Sequence, residues 1–166
     1  MIKIISTLSV LPLLMAIFAL VFAKTNFCKS ITNKTRLWLT FIFSFGAIVG
    51  SLYFSGVLHY PPCTLCWWAR IFIYPTAIIS LVGIIRKDFS VHVYNLFLSG
   101  FAIIVTGYHT YITFGGNELI SCGTSGSCLA RYVMEFGFVT IPTMALFVTL
   151  FIFINSFLAI RKNYSA

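Results

Sequence analysis

Apolar residues dominate this chain and fall into five long runs separated by short polar segments. The runs cover residues 4–23, 37–58, 67–85, 93–114 and 137–160. Each is about as long as the 20 residues that a helix needs to cross a membrane. The pattern therefore predicts an all-α membrane protein. Residues 37–166 are expected to form a four-helix transmembrane bundle, and residues 1–36 an extra N-terminal transmembrane helix with a basic cytoplasmic segment.

The loop before the last run changes character along its length. Its first half is rich in glycine, and its second half has apolar residues at helical spacing: Leu129, Tyr132, Val133 and Phe136. Arg131 and Glu135 fall on the opposite face, and this amphipathic pattern is typical of a helix that lies in the membrane interface. We predict a short interfacial helix at residues 129–136. The alternative is that these residues begin the last membrane helix.

The charged residues indicate how the chain is oriented. The chain is 60% hydrophobic and 8% charged, and its net charge is +8. The basic residues stand at the ends of apolar runs, which indicates membrane topology rather than a nucleic-acid partner. Cytoplasmic segments of membrane proteins are enriched in lysine and arginine. We therefore expect eight of the eleven basic residues on the cytoplasmic side: Lys24, Lys29, Lys34, Arg36, Arg86, Lys87, Arg161 and Lys162. The first run is then retained rather than cleaved as a signal peptide.

The five cysteines comprise one single residue, Cys28, and two close pairs, Cys63/Cys66 and Cys122/Cys128. In the predicted orientation both pairs lie on the extracytoplasmic face of the cell membrane, where disulfides persist. Two prolines directly precede Cys63; proline is tolerated at a helix start, and the residue before a proline favours extended geometry. We therefore place Cys63 at the N-terminus of a membrane helix and Cys66 one turn later on the same face. The positive end of the helix dipole favours a thiolate there.

Three interpretations of the cysteine pairs are open. The four paired cysteines could bind a structural metal, although five residues separate Cys122 from Cys128 and zinc sites usually have two to four. They could be structural disulfides, although closing the short Cys122–Cys128 loop is worth only about 2 kcal/mol. The third interpretation is an electron relay. Thiol–disulfide exchange would carry electrons from a mobile loop disulfide to the helix-end pair, and a lipid-soluble quinone would accept them.

Three further side chains fit a quinone site near the helix-end pair. Arg70 follows Cys66 by about one turn, and a charge at that depth is a functional candidate that could donate to a quinone carbonyl. Trp67 could stack on the ring, and His109 could hydrogen-bond the acceptor or carry protons. The alternatives are an arginine bound to lipid phosphate, an interfacial aromatic belt and a histidine satisfied within the protein.

These residues resemble the DsbB family of disulfide bond formation proteins, in its BdbC-like branch. The likeness rests on residues 62–70 (PCTLCWWAR), Tyr74-Pro75, His109, residues 122–128 (CGTSGSC) and residues 136–142 (FGFVTIP). The resemblance implies a four-helix bundle with two redox-active disulfides, Cys63–Cys66 and Cys122–Cys128. It also implies a quinone-dependent enzyme that reoxidises an extracytoplasmic thioredoxin-fold thiol oxidase. The electrons would go to menaquinone or ubiquinone in the membrane pool.

The resemblance also implies a role for each cysteine. Cys122 would be attacked by the partner, Cys128 would exchange with Cys63, and Cys66 would face the quinone beside Arg70. Two features of this chain depart from the family. The family needs no helix before residue 37, and the glutamate that is frequent in the family before the arginine is Ala69 here, before Arg70.

Two other functions remain as alternatives. One is a quinone or epoxide reductase resembling the vitamin K epoxide reductase family, in which the loop pair precedes the helix-end pair rather than following it. The other is a non-enzymatic membrane protein with structural disulfides or a four-cysteine metal site. The preferred interpretation needs the lipid bilayer, a quinone and a thiol oxidase as partners, and neither a metal nor a nucleic acid.

Overall fold

The computed structural model describes residues 32–117, 128 and 139–164 of the 166-residue chain. Within these residues four helices form, and all four are long and apolar enough to cross a membrane. They are α1 (Asn33–Leu52, continued by a π-helical turn, Tyr53–Val57), α2 (Thr64–Arg86), α3 (Val91–Thr113) and α4 (Ile141–Tyr164). This confirms the predicted set of four membrane helices after residue 32. The predicted helices at residues 4–23 and 129–136 lie outside the described residues.

The four helices form a closed ring in which each packs against its neighbours in the chain and α1 also packs against α4. The short connections at residues 58–63 and 87–90 force consecutive helices to run antiparallel. One end of the bundle therefore holds the start of α2 and the end of α3. We call it the cysteine end, because Cys63 lies there. The opposite end, which we call the basic end, holds Arg86 and Lys87 after α2 and Arg161 and Lys162 on α4.

Local sequence features set the helix boundaries. The Thr32 side chain accepts a hydrogen bond from the Thr35 backbone N–H at 3.3 Å and caps α1. Lys87, with φ 54°, ends α2 in the left-handed conformation. Pro142 lies in the first turn of α4, where no helical hydrogen bond is lost. α4 begins at Ile141, four residues later than the sequence predicted.

The interior of the bundle is rich in buried polar side chains, whereas large apolar side chains face outward. Asn155 of α4 donates to the Arg36 carbonyl at 2.8 Å and to the Thr40 hydroxyl at 2.9 Å, and it accepts from Arg36 Nη1 at 3.3 Å. Asn95 of α3 donates to the Ser80 hydroxyl of α2 at 2.9 Å. Lipid is as apolar as leucine, so hydrogen bonds and close packing hold such helices together.

The helices pack closely where α2 approaches α3 near the basic end. A Cβ atom added at Gly83 would lie 2.5 Å from a methyl group of Val91 and 3.1 Å from the Asp88 carbonyl oxygen. Glycine therefore allows the short turn between the two helices. Gly107, in the second half of α3, has open space at the corresponding position.

Candidate active site

The Cys63/Cys66 pair lies at the start of α2, as the sequence predicted. Cys63 is the N-cap residue, with extended backbone (φ −76°, ψ 171°), and the helix begins at Thr64. The preceding Pro61 and Pro62 lie outside the helix, since proline favours extended geometry in the residue before it. The sulfur atoms of Cys63 and Cys66 are 3.2 Å apart, and both residues are free thiols. A dithiol is thus held at the start of a membrane-capable helix by a single helical turn.

His109 joins this dithiol from the last turns of α3. Its Nε2 atom lies 3.7 Å from the Cys63 sulfur, although the two residues are 46 positions apart in sequence. Cys63 is 3% exposed and His109 is 5% exposed. The two sulfurs and a ring nitrogen of His109 all lie within 4.8 Å of one another. We call these three residues the thiol–imidazole cluster. Each was a candidate site residue from the sequence, and the packing of α2 against α3 brings them together.

The cluster favours the thiolate form of Cys63, which precedes the membrane-spanning part of α2. A hydrogen bond with the Cys66 thiol is the largest cause of a lowered Cys63 pKa. Burial acts in the opposite direction, and the hydrogen bond and charge of His109 lower the pKa further. The thiolate is the species that exchanges with disulfides, so Cys63 is the better nucleophile of the two thiols in the cluster.

The loop cysteine Cys128 lies beside the same site. It is 2% exposed and packs in one apolar cluster with Cys63, Leu65 and Ile112. Cys128 is disulfide-bonded, and its partner is neither Cys63 nor Cys66, because both of those are free thiols. Cys122, the partner implied by the family resemblance, lies outside the described residues. The fold thus puts a disulfide sulfur and a free dithiol in one buried neighbourhood.

Arg70 lies one turn below Cys66 and is held by α1. Its Nε donates to the Ser51 hydroxyl at 2.9 Å, and its Nη2 donates to the Ser51 carbonyl at 3.3 Å and to the Ser55 hydroxyl at 3.1 Å. The guanidinium carbon also lies 5.1 Å from the centre of the Trp67 ring, a cation–π contact. The arginine is therefore anchored within the protein.

Ser51 and Ser55 were not recognised from the sequence. Ser55 belongs to the π-helical turn Tyr53–Val57, and its hydroxyl also donates to the Ser51 carbonyl at 3.0 Å. Such turns are frequent at functional sites. The available signal was a pair of serines four residues apart, hence on one helix face, near the end of an apolar run. Trp67 is 55% exposed, so an aromatic belt at the interface is still an alternative role for it.

Comparisons with known proteins show the family of the chain. The family described as disulfide bond formation protein DsbB matches residues 33–159. The chain is 38% identical over 144 residues to a "Probable disulfide formation protein" of Oceanobacillus iheyensis, covering 81% of this chain and 97% of that protein. It is 40% identical over 129 residues to "Probable disulfide formation protein C" of Halalkalibacterium halodurans, covering 76% and 91%.

A third relative is the "SPbeta prophage-derived disulfide bond formation protein B" of Bacillus subtilis, 36% identical over 113 residues, which are 68% of this chain and 76% of that protein. No solved structure matches the chain. The family match covers α1, α2 and α3, most of α4, and both cysteine pairs. The chain therefore belongs to the DsbB family of disulfide bond formation proteins, in its BdbC-like branch, and is a multi-pass membrane protein of the disulfide oxidoreductase class.

Proposed function

We propose that this protein reoxidises an extracytoplasmic thioredoxin-fold thiol oxidase and passes the electrons to membrane quinone, so that exported proteins acquire disulfide bonds. The observation that carries the proposal is the thiol–imidazole cluster, in which buried Cys63 and partly buried Cys66 form a dithiol at a membrane helix start, next to the disulfide-bonded Cys128. It combines a nucleophilic thiolate, an exchange partner and access to lipid.

The first half of the reaction is exchange between thiols and disulfides. A partner thiolate attacks the loop disulfide, assigned as Cys122–Cys128 with Cys122 as the attacked sulfur. The partner becomes oxidised and the loop pair becomes a dithiol. Cys128 then attacks the Cys63–Cys66 disulfide at Cys63, and Cys122 closes the loop disulfide again. Two electrons and two protons thereby reach the helix-end pair. The packing of Cys128 against Cys63 supports this route.

The second half removes those electrons at the lipid-facing side of α2. A quinone, when bound, supplies a sink for two electrons and two protons. The surroundings of Arg70 fit such a group, since its serine bonds use Nε and Nη2, and Nη1 forms no hydrogen bond within the described part of the chain. Arg70 would hold a carbonyl oxygen through Nη1, and Trp67 would cover the ring. His109 would take up the proton that the dithiol still carries as the disulfide forms.

The distribution of charge supports the required orientation. The start of α1 and the ends of α2 and α4 meet at the basic end, with Lys34, Arg86, Lys87, Arg161 and Lys162. Cytoplasmic segments next to membrane helices are enriched in lysine and arginine. The basic end then faces the cytoplasm, and the cysteine end faces the compartment where disulfide exchange takes place.

Turnover by the purified full-length protein tests this function. The protein in detergent is given a short-chain quinone and a reduced thioredoxin-fold oxidase, and quinone consumption is followed by absorbance. Wild-type protein should oxidise the partner only when quinone is present. Cys63→Ser should abolish turnover, Arg70→Ala should mainly lower the efficiency of quinone use, and Cys28→Ser serves as the control cysteine. Full quinone-dependent turnover by the Cys63→Ser protein would refute the proposal.

A further inference from the structure

We propose that the thiol–imidazole cluster, in its reduced state, is a binding site for a thiophilic divalent cation such as Zn²⁺, which holds the dithiol reduced and inhibits the enzyme. The inhibition rests on the proposed function, whereas the metal binding does not. The proposal follows from ligand type, geometry and charge, each of which the described residues supply.

The ligand atoms are those that zinc prefers. Two thiolates and an imidazole, leaving a fourth position open, form a ligand set found in catalytic zinc sites. This set differs from the four-cysteine site considered from the sequence. Cys128 is disulfide-bonded and therefore not a ligand in this state, whereas His109, 46 residues from Cys63, provides the third donor.

The distances nearly match those of a tetrahedral site. Bonds of about 2.3 Å to sulfur and 2.0–2.1 Å to nitrogen imply edges of roughly 3.8 Å between two sulfurs and 3.5 Å between sulfur and nitrogen. Here the sulfurs of Cys63 and Cys66 are 3.2 Å apart, and the Cys63 sulfur is 3.7 Å from His109 Nε2. All three atoms lie within 4.8 Å of one another. Small rotations of the side chains would complete the site, without movement of either helix.

The charge of the site favours a divalent ion over a monovalent one, and the site is accessible to it. A Zn²⁺ ion with two thiolates and a neutral imidazole has no net charge, which suits a site packed by Leu65 and Ile112. Cys66 is only partly buried and gives the ion a path to the cluster. Binding displaces the remaining thiol protons, and the disulfide form offers no thiolate. The ion therefore binds the reduced enzyme alone and withdraws it from the catalytic cycle.

Metal titration of the full-length protein in detergent tests the proposal directly. Reduced protein competes with a chromogenic chelator for Zn²⁺, and Co²⁺ is used as a spectroscopic probe, since its thiolate charge-transfer intensity counts the thiolates bound. We expect about one ion per chain with two thiolates, no binding after oxidation, and slower alkylation of Cys63 and Cys66 when Zn²⁺ is present.

Two substitutions at histidine positions form a matched pair. His109→Gln should weaken Zn²⁺ binding at least about tenfold. His59→Gln should have no effect, because the ring of His59 bonds the Val57 carbonyl and takes no part in the cluster. Equal affinity in wild type and His109→Gln would refute the site, and so would a four-thiolate spectrum in the wild type. The spectrum decides the question even if His109→Gln does not fold.

Inhibition is measured separately. Zn²⁺ should stop quinone-dependent turnover, and a chelator should restore it. Metal binding without loss of turnover would refute the regulatory part of the proposal. Absence of turnover under every condition would instead contradict the proposed function, and the titration would still report whether the metal site exists.

Discussion

The anchoring of Arg70 by two serines of α1 leads to a quantitative prediction. If the guanidinium acts on quinone, its orientation depends on the Ser51 and Ser55 hydroxyls, at 2.9 Å and 3.1 Å. The double variant Ser51→Ala/Ser55→Ala removes both bonds and leaves the 3.3 Å bond to the Ser51 carbonyl. We expect a lower kcat/KM for quinone with little change in exchange between the protein partner and the loop disulfide.

The size of the effect follows from the strength of such bonds. A hydrogen bond to a charged group contributes about 1.5–3 kcal/mol in proteins, but bonds between membrane helices average about 0.6 kcal/mol and reach about 1.7 kcal/mol. Two bonds to a partly buried arginine should together be worth about 1–3 kcal/mol. Since each 1.4 kcal/mol is a factor of ten, kcat/KM for quinone should fall by about 5- to 150-fold.

The assay is steady-state quinone reduction at varied quinone concentration, combined with a double-mutant cycle. Ser44→Ala is the matched control, because Ser44 lies on the same helix and donates only to the Thr40 and Phe41 carbonyls of its own helix. In an Arg70→Ala background the two serine substitutions should have no further effect. The same loss in that background would show that the serines act independently of Arg70, and the reasoning would be wrong.

Three further predictions concern the cysteine site and the packing of the bundle. The alkylation rate of Cys63 should stay near its maximum at pH values well below the ordinary thiol pKa of about 8.5, because its lowered pKa keeps the thiolate present there. His109→Gln should move the inflection of this pH profile to higher pH, and an unchanged profile would contradict the role of the imidazole. Gly83→Ala should destabilise the protein by about 1–3 kcal/mol through overpacking, whereas Gly107→Ala, with open space around it, should be neutral or stabilising in the same denaturation experiment. Asn155→Leu should lower stability by about 1–2 kcal/mol because it breaks three hydrogen bonds with α1; a thermal midpoint equal to wild type would show that these bonds contribute nothing.

Much of the fold could be predicted because a membrane makes hydrophobic length decisive. A run of about 20 apolar residues has to be helical in lipid, since only a helix satisfies the backbone within one segment. Boundaries were predicted less well. The apolar run at 137–160 includes Val139 and Thr140, which are not helical. The helix α4 begins only at Ile141, with Pro142 in its first turn. Hydropathy does not distinguish helical from non-helical apolar backbone.

The sequence by itself determined the dithiol. Prolines before Cys63 and a spacing of three residues place Cys63 at a helix start and Cys66 one turn later, because both features act locally. Only the tertiary structure decided what surrounds that dithiol. His109 reaches Cys63 because α3 packs against α2, and Ser51 and Ser55 hold Arg70 because a π-helical turn in α1 faces it. Contacts between helices depend on rotation and register, and a uniformly apolar sequence encodes both only weakly.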